Sequence, residues 1–157
     1  MNILFLSPEN SCRSIMAEAL CKFMSPGGLE IDSAGSRPSG IIHPKALITL
    51  NKNGLPTDNL CSKSWDKLRM KPDVVIALCL ESSENACPIF WENPMRTQWD
   101  IPDPTQIEGD EEAVDAAFDD TFTLLKRHIS LLVALPLLDL QATPSKLENM
   151  LIRIAAL

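Results

Sequence analysis

A short apolar segment that leads directly into a loop and a helix is the feature of this sequence that most limits its possible folds. Residues 2 to 6 (NILFL) are an apolar run of the kind that is buried on both faces of a parallel sheet. Helical spacing of apolar residues begins at Arg13 and stops at the glycine-containing break of residues 25 to 28. The stretch therefore predicts a strand, a loop and a helix at the start of an α/β domain.

The same alternation continues along the chain. Further strands are predicted at residues 29 to 34, 73 to 78 and 96 to 99, and further helices at residues 43 to 53, at residues 110 to 135 and from Thr143. Strands that alternate with helices predict a doubly wound fold with right-handed crossovers. We expect one domain over residues 1 to 157, with three layers: a four-stranded parallel sheet, helices on both faces and an extra C-terminal helix.

The charge balance and the hydropathy pattern limit the class of partner. The 157 residues carry a formal net charge of −7, so the basic surface that nucleic acids and anionic membranes require is missing. The longest uncharged apolar run in the C-terminal half, residues 129 to 138, is about half the ~20 residues that span a bilayer. No secretory leader pattern is present. We expect a cytoplasmic monomer or weak dimer that binds neither nucleic acid nor membrane.

The cysteines are expected to be free or redox-active thiols. Their odd number and irregular spacing argue against a disulfide framework in a reducing compartment. The two histidines, His43 and His128, do not supply the paired spacing of a zinc site, so no metal is predicted. The five cysteines are Cys12, Cys21, Cys61, Cys79 and Cys87.

Three segments follow the carboxyl ends of predicted strands, where parallel sheets bind their ligands. They are residues 7 to 13, Cys79 and Asp103. A loop of successive backbone N–H groups that leads into a helix N-terminus makes a concave anion site. Arg13 can close this loop with a planar, bidentate guanidinium group. The predicted ligand is a tetrahedral oxyanion, and a nucleophile at the start of the loop would point at it.

Six segments follow one another in the order LSPENSCRSIMAEAL, IDSAGSRPSG, HPKAL, GLPTDNLCSKSWD, ENACPIF and DIPDP. In this order they resemble the thioredoxin-coupled arsenate reductases built on the low-molecular-weight protein tyrosine phosphatase scaffold. The C-terminal LLVALPLLDL and the closing helix are similar to those of the longer bacterial members. The resemblance covers nearly the whole chain and implies the fold of that family.

The resemblance also implies a role for each matching residue. In the family a loop cysteine attacks the oxyanion, an aspartate protonates the leaving oxygen, and downstream cysteines pass the oxidation to an external thiol reductant, without a tightly bound cofactor. Thioredoxin, or glutathione with glutaredoxin, is such a reductant. By position the attacking residue is Ser7, the acid is Asp103 and the redox pair is Cys79 and Cys87. The positions that bind arsenate or phosphate are Pro8, Glu9, Asn10, Ser11, Cys12, Arg13 and Ser14, of which Arg13 is also catalytic.

The sequence departs from the family pattern at the start of the loop. Ser7 stands where the family has cysteine, and a serine hydroxyl stays protonated at neutral pH unless a base lies beside it. Ser7 also cannot form the disulfides that turnover requires. Pro8 removes one amide donor, and Glu9 adds negative charge near an anion site unless it points outward. We therefore expect oxyanion binding with poor reduction or hydrolysis.

Three functions remain open at this point. The first is reduction of arsenate to arsenite, impaired by Ser7. The second is hydrolysis of phosphotyrosine; against it, the chain has no tyrosine, and the pair of Cys79 and Cys87 would have no purpose. The third is non-catalytic oxyanion binding or sensing, which Ser7, Pro8 and Glu9 favour.

Simpler structural roles are also open for several residues. Asp103 precedes a proline and could be a turn former, while Cys79 and Cys87 could be small buried side chains. Structural roles are expected for Cys12 in the loop, Cys21 in the core and His43 at a helix start. Trp65 either lines the site or packs in the core, as aromatic side chains more often do.

Overall fold

Four parallel strands form the central sheet. The structure, a computed structural model, describes residues 1–78 and 94–157. The strands are β1 (Asn2–Leu6), β2 (Glu30–Ala34), β3 (Val74–Ala77) and β4 (Met95–Gln98). Their order is β2-β1-β3-β4, and every neighbouring pair is parallel. The predicted four-stranded parallel sheet is confirmed, with strand ends that differ from the prediction by at most one residue.

The α-helices of the described residues are α1 (Arg13–Met24), α2 (Pro44–Lys52), α3 (Glu111–Val133), α4 (Leu137–Leu140) and α5 (Pro144–Ala155). His43 starts α2 as predicted, because its Nδ1 accepts the N–H of Lys45 at 3.1 Å. The short α4 was not predicted. It follows Pro136, where the apolar pattern of α3 stops, and it buries Leu137 and Leu140. Among the described residues, no helix combines the length and the apolar character needed to cross a membrane.

Different elements pack against the two faces of the sheet. Ile3 and Phe5 belong to a large core that also contains buried side chains of α1, α2, α3 and α5. Leu4 and Leu6 point to the other face, because successive strand residues alternate in direction. There they belong to a smaller cluster with Trp65, which begins the 3-10 helix Trp65–Lys67. Trp65 therefore packs under the sheet, and the predicted three-layer α/β fold is confirmed.

Candidate oxyanion-binding site

The loop between β1 and α1 is held in place through its own carbonyl groups. The carbonyl oxygens of Pro8, Glu9 and Ser11 accept backbone N–H bonds from the segment 37–43, at 2.8, 3.1 and 2.8 Å. The Glu9 carbonyl also accepts the hydroxyl of Ser62 at 3.1 Å. These carbonyls are therefore turned toward neighbouring loops, and the opposite side of the peptide units is left for a ligand.

The N–H groups of residues 9 to 14, in the same loop, donate to no acceptor within residues 1–78 or 94–157. Cys12 occupies the N-cap of α1 and makes no side-chain cap bond. Serine, threonine, asparagine or aspartate at an N-cap would satisfy an N–H of the first turn. Cysteine leaves those groups free, and free N–H groups at a helix N-terminus attract an anion.

Asn10 fixes the shape of the loop. Its φ is 47°, in the left-handed region that few residues other than glycine enter. Its Nδ2 donates to the hydroxyls of Ser14 and Ser33, at 2.8 and 3.0 Å, and its Oδ1 accepts the N–H of Lys63 at 2.9 Å. Asn10 and Ser14 are fully buried behind the loop. Of the predicted oxyanion-binding residues, these two therefore use their side chains to hold the loop.

Ser7 is nearly buried at the start of the loop, with 5% of its surface exposed. Its Oγ lies 2.6 Å from the Oγ of Ser14, which already accepts a bond from Asn10. The two histidines lie elsewhere: His43 caps α2, and the Nδ1 of His128 bonds the carbonyl of residue 124. In the part of the chain that the structure describes, no base is hydrogen-bonded to the Ser7 hydroxyl.

Arg13 and Asp103 meet where three segments converge. Arg13 Nη1 donates to the carbonyls of Leu78 and Ile101, at 2.9 and 3.1 Å, and Nη2 lies 3.4 Å from Asp103 Oδ2. Asp103 Oδ1 accepts both the N–H and the hydroxyl of Thr105, at 3.0 and 2.7 Å. Arg13 thus joins the loop after β1 to the end of β3 and to the turn after β4.

These groups line one cavity of about 480 Å³. Two guanidinium-bearing residues, Arg13 and Arg37, share it with three acidic residues, Glu9, Asp100 and Asp103. The other lining residues are Ser7, Pro8, Ser11, Cys12, Ile101, Pro102, Thr105 and Gln106.

The sequence did not single out Arg37 or Asp100, since neither has a diagnostic spacing. Arg37 reaches the cavity because its N–H bonds the Pro8 carbonyl at 2.8 Å. Asp100 reaches it because it stands in the turn that follows β4.

Residues 2–142 match the sequence model of a family described as low molecular weight phosphotyrosine protein phosphatase. The chain belongs to this family. The arsenate reductase of Halalkalibacterium halodurans is 33% identical to it over 117 residues, which cover 74% of this chain and 83% of that protein. The predicted resemblance is therefore confirmed.

Solved structures agree on the fold of this phosphatase-family chain. A crystal structure of an arsenate reductase from Archaeoglobus fulgidus has a TM-score of 0.69 and 22% identity, covering 85% of this chain and 99% of that one. A thioredoxin-dependent arsenate reductase of Corynebacterium glutamicum has a TM-score of 0.56 and 24% identity, covering 83% of this chain and 62% of that one. At these identities the structures establish the fold alone.

The cysteines of this phosphatase-family chain have different surroundings. Burial raises the pKa of the Cys12 thiol from 9.0 to about 12; Asp103 adds to this rise and Arg13 opposes it. Burial alone raises the pKa of Cys21 to about 12. Cys12 is therefore a protonated thiol within the loop and Cys21 a core side chain, while Cys61 is exposed. The candidate redox residues, Cys79 and Cys87, lie outside the described residues.

A buried carboxylate behind the loop was not predicted. Glu18 is 1% exposed; it accepts the hydroxyl of Ser33 and pairs with Lys22 at 2.6 Å. Ser33 in turn accepts from Asn10, so the network reaches the loop. Four-residue spacing of Glu18 and Lys22 is typical of an exposed helical ion pair. The sequence therefore did not indicate that the glutamate is buried.

Proposed function

We propose that this chain binds arsenate or phosphate in the loop of residues 7 to 14. The observation that carries the proposal is the polarity of the loop. The carbonyls of Pro8, Glu9 and Ser11 accept bonds from residues 37 to 43, and the N–H groups of residues 9 to 14 have no acceptor among the described residues. The N-terminus of α1 adds the positive end of its dipole. Arg13 supplies a cation whose side chain is held in place by two carbonyls.

The chemistry we propose is that of an arsenate reductase. Reduction of arsenate to arsenite takes two electrons, which two thiols supply by forming a disulfide. Asp103 would protonate the leaving oxygen, and Cys79 and Cys87 would form the relay. An external thiol protein of the thioredoxin type would restore the thiols. Support comes from a curated relative named arsenate reductase and from a solved neighbour described as thioredoxin-dependent.

Ser7 limits this chemistry. The Ser7 alcohol cannot form a disulfide. Among the described residues, the only hydrogen-bond partner of its Oγ is the hydroxyl of Ser14. Without a base, the hydroxyl is a weak nucleophile. These surroundings of Ser7 favour a second candidate function, the binding or sensing of an oxyanion without turnover. Both functions use the same site, and they differ only in whether the bound oxyanion is reduced.

Calorimetric titration with arsenate and with phosphate tests the shared site. Arg13→Lys keeps the charge but loses the planar, forked donor geometry, so we expect it to weaken binding about tenfold or more. Arg127→Lys, the same change at an exposed position on α3, is the matched control and should leave binding unchanged. Absence of binding by the unaltered chain, or equal binding by Arg13→Lys, would refute the proposal.

A further inference from the structure

The cavity contains more acidic groups than an anion site requires. Glu9, Asp100 and Asp103 line it together with Arg13 and Arg37. Asp103 is paired with Arg13, whereas neither Glu9 nor Asp100 forms an ion pair with another described residue. Unpaired carboxylates therefore stand at the edge of a site whose N–H groups and cations attract anions.

Glu9 is the acidic residue most closely tied to the loop. It lies two positions after Ser7, inside the run of free N–H groups, and its backbone is fixed by the bonds from Ser39 and Ser62 to its carbonyl, both 3.1 Å long. Glu9 lines the cavity and is exposed to solvent. Asp103 differs, because Arg13 and Thr105 already occupy both of its oxygens.

A carboxylate beside an anion acts differently on two classes of ligand. Its charge repels every oxyanion. An oxyanion that still carries a hydroxyl group offsets this repulsion by donating a charge-assisted hydrogen bond to the carboxylate, whereas an oxyanion without a proton does not. Arsenate and phosphate retain a hydroxyl near neutral pH, whereas sulfate has none.

We propose that Glu9 is a specificity residue that selects hydroxyl-bearing oxyanions, arsenate and phosphate, over sulfate. The inference rests on the oxyanion site proposed above and adds the choice among tetrahedral anions of similar shape. The remaining titratable or charged residues that line the cavity are Cys12, Arg13, Arg37, Asp100 and Asp103.

The experiment is calorimetric titration with inorganic phosphate and with sulfate at neutral pH, on the unaltered chain and on Glu9→Gln. The glutamine removes the charge and keeps an oxygen that accepts a hydrogen bond. We expect the unaltered chain to prefer phosphate, and Glu9→Gln to bind sulfate about two- to fivefold more tightly with little change for phosphate. Glu112→Gln, the same change at an exposed position on α3 outside the cavity, should leave the phosphate-to-sulfate ratio unchanged.

Three other outcomes would each count against the inference. An unchanged ratio in Glu9→Gln, with phosphate binding that still depends on Arg13, would overturn the role of Glu9 and leave the oxyanion site standing. An equal shift in Glu112→Gln would assign the effect to net charge and likewise overturn it. If the unaltered chain binds neither anion, both the site and the selection fail.

Discussion

Arg13 and Asp103 lie 90 positions apart in the sequence, yet their side chains approach to 3.4 Å across the candidate site. The pair links the guanidinium of the oxyanion loop to the proposed acid in the turn after β4. Arg13 is 11% exposed and Asp103 29% exposed, so the pair is only partly screened by water. An anion bound at the proposed site would therefore share Arg13 with a carboxylate.

Replacing Asp103 by asparagine should strengthen phosphate binding by about two- to fivefold, because one negative charge beside the anion is lost. The asparagine oxygen can still accept the Thr105 N–H, so the 3-10 helix Pro104–Gln106 should keep its cap. Calorimetry with inorganic phosphate measures the change, with Asp139→Asn on the exposed part of α4 as control. Weaker binding by Asp103→Asn would show that the aspartate supports the anion.

Gly35 is predicted to be essential for the shape of the loop. A Cβ at this position would lie 2.4 Å from the Pro8 carbonyl oxygen and 2.8 Å from that of Ser7. Both are backbone atoms, so the loop itself would have to move. We expect Gly35→Ala to lower the free energy of unfolding by about 1–3 kcal/mol and to weaken phosphate binding.

Urea unfolding and calorimetry test this expectation for Gly35. Ser36→Ala, a change of similar size at the neighbouring exposed position, should leave both quantities near their starting values. Unfolding and binding that Gly35→Ala leaves unchanged would mean that the two loops are less tightly apposed than their distances indicate.

The buried thiols should make the fold sensitive to alkaline pH. Burial raises the pKa of Cys21 from 9.0 to about 12, so the folded state holds its proton over a range in which the unfolded state releases it. Stability therefore falls as the pH rises from about 9 toward 12, by roughly 1 kcal/mol per pH unit for each such thiol. Cys12 should contribute in the same direction.

Urea unfolding at about pH 8 and about pH 10 measures this loss of stability. Cys21→Ala should reduce the pH dependence, whereas Cys61→Ala, at an exposed position, should preserve it. An identical slope in Cys21→Ala and in the unaltered chain would contradict the assignment.

Local sequence patterns predicted the elements of the fold well. The apolar run of β1, the helical spacing of α1 and the prolines at the starts of α2 and α5 each depend on neighbouring residues. The one-turn helix α4 was missed because its four residues are too few to show a period. Its position depends on the burial of Leu137 and Leu140, which is a tertiary property.

The strand, loop and arginine of the candidate site were predictable from the sequence, whereas two charged lining residues, Arg37 and Asp100, were not. The strand, loop and Arg13 follow one another in the sequence, so their arrangement could be inferred. Arg37 joins the cavity through a backbone bond between two loops, and the acid Glu18 supports the loop from a buried helix face. Such contacts depend on the packing of distant segments, and neither residue has a spacing that would indicate them.

The decisive measurement is arsenate reduction by Ser7→Cys in a thioredoxin-coupled assay, beside the unaltered chain. We propose an oxyanion site of the reductase type whose chemistry is limited by one oxygen, that of Ser7, at the position where the resemblance implies a cysteine sulfur. We expect both proteins to bind arsenate and only Ser7→Cys to reduce it in a thioredoxin-dependent reaction. Equal reduction by both proteins, or no reduction by a Ser7→Cys variant that binds arsenate, would contradict this proposal.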